Sequence, residues 1–210
     1  MPTRFEAYYR EQYGDEEFCS KYLTGRERVY DAIVGILKRL RVSQVFDIGC
    51  SFGLLVERLN AAGVDAYGAD LPFPQIQESH LQLKRSAGKF LYGDATQTRF
   101  PVRRDASAIV VLDSLRHFDG PGILGEQAAE YMIIKENGSK SRIARSRRPE
   151  DQVRFYSPAD LLSALPAYGA HEIHATRYVL RIARPGPTTL AWFDYMPSYT
   201  IVLRRRDAER

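Results

Sequence analysis

Glycines and carboxylates follow short apolar segments in the first half of the chain, where ligand-binding loops of α/β proteins are found. The segment DIGCSFG, residues 47–53, comes directly after an apolar run. Gly49 and Gly53 allow a tight turn and a close approach of the backbone to a ligand. Asp70 ends the next apolar segment, where a carboxylate can accept hydrogen bonds from the two hydroxyls of a ribose. Together these residues predict a site for a nucleoside-containing ligand.

Two further acidic residues and a histidine occupy comparable positions later in the chain. Asp94 follows the third apolar segment, and Asp113 ends the fourth. His117 lies four residues past Asp113 and is the best-placed titratable group, because histidine titrates near neutral pH. We therefore predict His117 as a candidate general base, with local capping or packing as the alternative.

The elements that must position these residues alternate between helices and strands. The first forty or so residues have a helical apolar pattern. Strands are predicted over residues 44–49, 65–70, 89–94, 106–114, 131–137, 171–182 and 198–205. Helices are predicted over residues 54–63, 76–86, 123–129 and 157–169.

Strands separated by helices form βαβ units, and such units build a largely parallel, doubly wound sheet covered on both faces. No helical pattern separates the last two strands, so we expect them to pair antiparallel. Ligands of such sheets bind beyond the carboxyl ends of the strands, at the point where the strand order reverses. The loops that carry the glycines and carboxylates are therefore predicted to meet there.

Length and composition favour one ordinary domain. The 210 residues are 44% hydrophobic, enough for a sizeable core, and carry 30 Lys and Arg against 26 Asp and Glu. No apolar run approaches the roughly 18–20 residues that a membrane span needs, and the amino terminus lacks the apolar stretch of a secretory signal. Two cysteines cannot build a disulfide framework, and the four histidines form no metal cluster. We expect a cytoplasmic protein without membrane association or a metal site.

At these residues the chain resembles the class I S-adenosylmethionine-dependent methyltransferases. DIGCSFG is similar to their first motif, YGADLP to the second, LYGDA to the third and VVLDSLRHF to the fourth. The resemblance implies a Rossmann-like fold with a mostly parallel seven-stranded sheet and an antiparallel C-terminal hairpin. It also implies an N-terminal helical cap (1–42), a cofactor-binding core (43–137) and a substrate side (138–210). One departure is visible, because Ser51 stands where the family has its middle glycine.

The resemblance further implies S-adenosylmethionine as cofactor. Asp70 would hold its ribose hydroxyls, Leu71 would pack on its adenine and Asp94 would meet the adenine amino group. Leu112 and Asp113 would lie beside the reacting methyl group, with Asp113 and His117 as the candidate catalytic residues. Cys50 lies inside the loop, where we expect a small space-filling residue. The residues implied to bind the cofactor are Asp47, Gly49, Cys50, Ser51, Gly53, Asp70, Leu71, Pro72, Asp94, Ala95, Leu112 and Asp113.

A dinucleotide-binding site is the rival interpretation of the first loop. It requires glycines at the spacing GxGxxG, and after Gly49 this chain has Ser51 and Leu54 at the other two positions. The missing glycines would obstruct the close approach of a pyrophosphate. Nicotinamide or flavin binding is therefore the less favoured prediction.

Two later segments are predicted to line the substrate site. One is a basic loop after the fifth strand, and the other is an aromatic loop between the last two strands. The alternatives are a solvated charge run for the first and aromatics packed on their own domain for the second. The residues predicted to contact a substrate with an acidic group and a ring are Arg145, Arg147, Arg148, Trp192 and Tyr195.

The amino-terminal segment is a second candidate cover for the cofactor. It carries several aromatic residues, among them Tyr13 and Phe18, and two arginines, Arg26 and Arg28, that could pair with the cofactor's carboxylate. Packing of these aromatics against the sheet explains them equally well. Both interpretations stay open from the sequence.

Three functions remain in consideration. The leading one is methyl transfer to a small-molecule acceptor, most simply at oxygen. The second is methylation of RNA or a protein, although no stretch interleaves basic residues with stacking aromatics, so a nucleic-acid partner is less expected. The third is a non-catalytic cofactor-binding subunit. The sequence leaves the oligomeric state open, with a homodimer as one alternative.

Overall fold

Helices and strands alternate along the chain as predicted, and the α/β fold class is confirmed. The computed structural model describes residues 11–94, 100–115, 118, 120–137, 155–175 and 180–209. The eight strands among them form a mixed sheet, mostly parallel with an antiparallel C-terminal part. The chain divides into two compact units, residues 1–98 and 99–210. The predicted division into a cap, a core and a substrate side stays a prediction.

Among its described residues, the first unit has three parallel strands and four helices. The helices are α1 (Glu16–Gly25), α2 (Glu27–Arg39), α3 (Leu54–Ala61) and α4 (Pro74–Gln82). The strands are β1 (Gln44–Ile48), β2 (Asp65–Asp70) and β3 (Phe90–Tyr92). Strand β2 pairs in parallel with β1 on one side and with β3 on the other, and a 3-10 turn at Lys84–Ser86 follows α4.

Local sequence explains why these elements form. All five residues of β1 are buried, as expected for a strand of a parallel sheet covered on both faces. Helix α2 buries Tyr30, Ile33 and Leu37, which recur at helical spacing. The Asp15 carboxylate caps α1 by accepting hydrogen bonds from the first backbone N–H groups of that helix. Of the helices in the described ranges, none combines the length and the apolar character needed to cross a bilayer.

In the part of the second unit that the structure describes, there are five strands and two helices. The strands are β4 (Ser107–Leu112), β5 (Tyr131–Glu136), β6 (Tyr168–Ala175), β7 (Leu180–Ala183) and β8 (Tyr199–Arg205). The helices are α5 (Pro158–Ala164) and α6 (Pro187–Phe193), and 3-10 turns occur at Pro121–Glu126 and Arg206–Glu209. Strands β4 and β5 are parallel, whereas β8 pairs antiparallel with β5 and with β6.

The second unit differs from the prediction in four elements. The predicted strand 171–182 is two strands, β6 and β7, which pair antiparallel and make the sheet eight-stranded rather than seven-stranded. Helix α5 ends at Ala164 instead of Gly169, because Pro166 disfavours helical backbone in the residue before it. The predicted helix 123–129 is the 3-10 turn, and the predicted aromatic loop contains α6.

Replacement of Gly53 by alanine should destabilise the protein more than the same change at Gly63. Both glycines have left-handed backbone, with φ of 74° and 83°, so each alanine carries about 1–2 kcal/mol of strain. A Cβ at Gly53 would also lie 2.7 Å from the Phe90 ring, whereas a Cβ at Gly63 meets nothing within 4 Å. Overpacking should add about 1–3 kcal/mol at Gly53. Urea unfolding of both variants measures the difference, and equal losses would contradict the packing described here.

Candidate functional site

The loop between β1 and α3 is tied to the end of β2 by its backbone. The N–H groups of Gly49 and Cys50 both donate to the carbonyl of Ala69, at 2.8 and 3.2 Å. Gly53 then begins α3 in the left-handed conformation, where it is the N-cap without a side-chain hydrogen bond. The first N–H groups of a helix have no partner within that helix, so this end of α3 offers donors to a ligand.

The Asp70 carboxylate binds this loop as well as the end of its own strand. One oxygen accepts from the Ser51 N–H at 2.6 Å, and the other accepts from the Leu71 N–H at 2.7 Å. An ionised carboxylate has about four acceptor positions, two on each oxygen. Each oxygen of Asp70 therefore keeps a lone pair for another donor, which suits the two hydroxyls of a ribose.

Asp47 and Asp70 form an electronegative pair beneath the loop. Burial, with a contribution from the charge of Asp70, raises the pKa of Asp47 to about 7, against a lowering effect of Arg26. Burial also raises the pKa of Asp70 to about 6, against its two backbone hydrogen bonds. Two buried carboxylates close enough to affect each other favour a ligand that brings positive charge.

Cys50 is a buried thiol in this negative environment, not a reactive one. Burial raises its pKa well above the ordinary range, and the charges of Asp70 and Asp47 raise it further. Its sulfur fills the space beside Gly68, where an added Cβ would come within 2.7 Å of Sγ. This packing agrees with the predicted role of Cys50 as a small space-filling residue.

The amino-terminal segment packs directly on the loop. Tyr13 is buried, and its ring lies 5.4 Å, between centroids, from the rings of both Phe52 and Phe73. Its hydroxyl is 3.1 Å from Ser51 Oγ, and Phe18 meets it edge-on at 6.0 Å. Tyr13 therefore joins the amino-terminal segment to the predicted cofactor loop, whichever of the two predicted roles that segment has.

The residues predicted to lie near the adenine differ in how far they are exposed to solvent. Leu71 is partly buried and packs against the cluster of Tyr13, Phe52, Phe73 and Ile76. In the same stretch, Pro72 is exposed ahead of α4, and Asp94 is exposed just past β3. Ala95 lies outside the described residues.

The second unit places Leu112 and Asp113 at the carboxyl end of β4. Leu112 is buried, and Asp113 has left-handed backbone with φ of 59°. Lys135 Nζ donates to both oxygens of Asp113, at 2.6 and 2.8 Å, and its backbone carbonyl accepts from the Asp113 N–H. The Asp113 carboxylate is thus held by a cation on the neighbouring strand, which suits an orienting role better than proton abstraction.

Sequence reasoning missed two residues that the structure places next to predicted ones. Lys135 stands in the apolar run of β5, and a lysine in a buried strand indicates a paired charge. His80 follows Ile76 by four residues on the buried face of α4, and its Nε2 lies 2.7 Å from the Ser51 carbonyl. A histidine on an apolar helix face indicates a buried hydrogen-bond partner, although the sequence does not identify that partner.

Two other predicted residues lie in the second unit. Trp192 and Tyr195 lie in and after α6 with exposed fractions of 47% and 58%, so both are available to a ligand. Within the described ranges, no group of three or more side chains could hold a metal ion. Four predicted residues lie outside the described residues, namely His117, Arg145, Arg147 and Arg148.

Comparison with curated proteins gives one relative of low identity. The ubiquinone biosynthesis O-methyltransferase of Nitrosomonas europaea is 24% identical over 144 residues, a match that covers 68% of this chain. The match covers 59% of the relative's own length, so less than two thirds of that protein is represented. No protein-family model matches the chain.

Solved structures of methyltransferases share the fold. The magnesium protoporphyrin IX methyltransferase of Synechocystis PCC 6803, solved with bound SAH, aligns over 94% of this chain and 92% of its own, with a TM-score of 0.62 and 19% identity. The small RNA methyltransferase HEN1 aligns over 86% of this chain and 25% of its own, with a TM-score of 0.60 and 13% identity.

The sheet, the loop after β1 and the acidic end of β2 define a Rossmann-like α/β protein of the kind that binds a nucleoside-containing cofactor. The chain has the Rossmann-like fold of the class I S-adenosylmethionine-dependent methyltransferases. The predicted fold is thereby confirmed.

The substitution Asp47→Asn should remove part of the pH dependence of stability in the unliganded protein. The folded-state pKa of about 7 lies above the ordinary value of about 3.9. The folded state therefore binds this proton more tightly, and the free energy of unfolding falls as the pH rises through that range. One such group gives a slope of at most about 1.4 kcal/mol per pH unit. Urea titrations across the range measure this slope.

Asp70 contributes to the pH dependence of stability with the same sign, but its contribution is mostly complete above its pKa of about 6. The slope of stability against pH should therefore be assigned to Asp47 most clearly between about pH 6 and 7, where the parent still has a slope and Asp47→Asn has little. Asp105→Asn, an exposed change, is the matched control. Parallel curves for the parent and Asp47→Asn would contradict the burial and coupling of Asp47.

Proposed function

We propose that this protein is an S-adenosylmethionine-dependent methyltransferase whose cofactor binds at the loop of residues 49–53. The observation that carries the proposal is the Asp70 carboxylate, which is anchored by two backbone N–H groups and keeps an acceptor position on each oxygen. A ribose diol is a chemical match for that arrangement. The fold shared with methyltransferases supports the same assignment.

The charge of the site supports this cofactor over an anionic one. S-adenosylmethionine supplies a methyl group on a sulfonium, and it carries an ammonium as well. Asp47 holds a proton near neutral pH in the unliganded protein, because its charge is buried beside that of Asp70. A cationic ligand would favour the ionised form, so binding should release this proton. A pyrophosphate would instead bring negative charge to two carboxylates.

We propose a small molecule with a hydroxyl group as the methyl acceptor. The support is the similarity to an O-methyltransferase of ubiquinone biosynthesis and to a protoporphyrin methyltransferase, both of which have small-molecule names. Exposed aromatics at Trp192 and Tyr195 would contact a ring, and the basic residues Arg145, Arg147 and Arg148 would attract an acidic group.

The chemistry requires an oriented and desolvated nucleophile more than it requires covalent help. Lys135 fixes the Asp113 carboxylate by two hydrogen bonds, so Asp113 would orient the acceptor or the cofactor rather than take its proton. His117 remains the proposed general base, because it follows Asp113 by four residues in the sequence and histidine titrates near neutral pH.

RNA is the second candidate acceptor. The likeness to the small RNA methyltransferase HEN1 favours it, and the segment 138–154 supplies five arginines and one lysine for a phosphate backbone. Against it, the aromatics that could stack on bases are on a different segment.

Calorimetry with S-adenosylhomocysteine and S-adenosylmethionine tests the cofactor. We expect Asp70→Ala to weaken binding at least about tenfold, because hydrogen bonds to a charged acceptor are lost. Near pH 6.5, parent binding should release protons, seen as a heat that depends on the ionisation enthalpy of the buffer, and Asp47→Asn should reduce that release to the smaller contribution of Asp70. Asp105→Ala is the control. A folded parent with no affinity for either ligand would contradict the proposal.

Methyl transfer itself distinguishes the acceptors. Release of S-adenosylhomocysteine should be stimulated by hydroxylated aromatic or tetrapyrrole acids and not by short RNA duplexes under the same conditions. Stimulation by RNA alone would replace the leading acceptor with the second one. Binding without turnover on either class would favour a non-catalytic cofactor-binding subunit.

A further inference from the structure

The buried loop residue Ser51 has a backbone conformation that serine rarely adopts. Its φ of 49° lies in the left-handed region, which costs a residue other than glycine about 1–2 kcal/mol. Such a residue persists where its surroundings hold it in several directions. The Ser51 N–H donates to Asp70 and its hydroxyl meets the hydroxyl of Tyr13. The third contact, at its carbonyl, comes from His80.

The geometry fixes which nitrogen of His80 carries the proton. A carbonyl oxygen can only accept, so His80 Nε2, at 2.7 Å from the Ser51 carbonyl, is the donor. In the neutral ring Nδ1 is then an acceptor, and the Tyr92 hydroxyl at 3.0 Å donates to it. The Ser51 carbonyl therefore sets the tautomer of His80, and the Tyr92 hydroxyl satisfies the other ring nitrogen.

The His80 ring has little freedom to leave this position. Only 4% of His80 is exposed, and its ring is stacked on that of Phe90, with 3.6 Å between centroids and 11° between planes. Burial lowers the pKa of His80, which keeps the ring neutral and keeps the assigned tautomer in place.

Helix α4 supplies a second donor to the same loop. Ser79 Oγ donates to the carbonyl of Phe52 at 3.2 Å. Phe52 directly follows Ser51, whose carbonyl accepts from His80. Two consecutive side chains of α4 therefore satisfy two consecutive carbonyls of the loop.

We propose that His80 is a positioning residue for cofactor binding, which holds the loop of residues 49–53 in its binding conformation through the carbonyl of Ser51. Tyr92 supports this role by donating to the second ring nitrogen, Nδ1, of His80. His80 acts through Ser51 and needs no contact with the cofactor. The inference rests on the proposed function for its ligand, but the conformation of the loop can be measured without any ligand.

Four variants separate positioning from folding. His80→Leu replaces the ring with an apolar side chain of similar size, which has no N–H donor. His80→Gln keeps an N–H at a position similar to Nε2. Tyr92→Phe removes only the hydroxyl that donates to His80 Nδ1, at a side chain that is 42% exposed. Leu81→Ala, on the same helix and 87% exposed, is the matched control.

The first measurement is amide hydrogen exchange of residues 49–54 in the unliganded protein, well below the melting temperature. We expect His80→Leu to speed exchange in this loop about tenfold or more, because its left-handed residue loses one of three restraints. Tyr92→Phe should have a smaller effect in the same direction. His80→Gln should restore slow exchange, and Leu81→Ala should leave it unchanged.

The second measurement is the affinity for S-adenosylhomocysteine. His80→Leu should weaken it about tenfold, and His80→Gln should recover most of the loss. Unchanged exchange and affinity in a folded His80→Leu protein that only melts earlier would overturn the inference. If His80→Leu does not fold, unchanged exchange in Tyr92→Phe would overturn it. If the parent binds no adenosyl ligand, the proposed function fails, and the exchange data still decide the role of His80.

Discussion

The candidate site depends on how one buried serine keeps a left-handed backbone. Ser51 replaces a glycine of the family motif, so the loop cannot rely on the freedom that glycine would provide. Its three polar groups are held instead by side chains from the amino-terminal segment, the end of β2 and helix α4. The hydrogen bond from Ser51 to Asp70 also fixes the carboxylate, so the shape of the loop and the position of the acid are set together.

This arrangement has a functional consequence, since a loop already in its binding shape loses less conformational freedom when a ligand arrives. The unliganded site carries two raised pKa values and is thus poised to receive positive charge. The second unit shows a related device at the end of β4, where Lys135 holds the strained residue Asp113. In both cases a residue with left-handed backbone at a strand end is held by a charged side chain on a neighbouring strand.

Much of the fold could be predicted from the sequence, because apolar runs and their spacing depend on local chemistry. The strands β1, β2, β4 and β5 lie within their predicted segments, and Asp70 ends β2 as expected. The loop 184–199 could not be predicted as partly helical, since Pro187 is compatible both with a loop and with the first turn of a helix. The break between β6 and β7 depends on antiparallel pairing between residues that a linear pattern does not relate.

The contacts of the site were less predictable than its residue types. Asp47, Asp70 and the glycine loop could be selected from their places at strand ends. His80 and Lys135 could not be assigned a role, because their partners lie 29 and 22 residues away and meet them only in the folded sheet. The pKa of Asp47 depends on burial and on a second carboxylate, and neither can be read from the sequence.

A crystal structure with S-adenosylhomocysteine tests the central claim most directly. We expect ribose hydroxyls at the Asp70 carboxylate and an ammonium towards Asp47. Ser51 should remain left-handed, with its hydrogen bonds to Asp70 and His80 intact. Ligand density elsewhere, or a bound state in which Asp70 has turned away from the ribose, would contradict it.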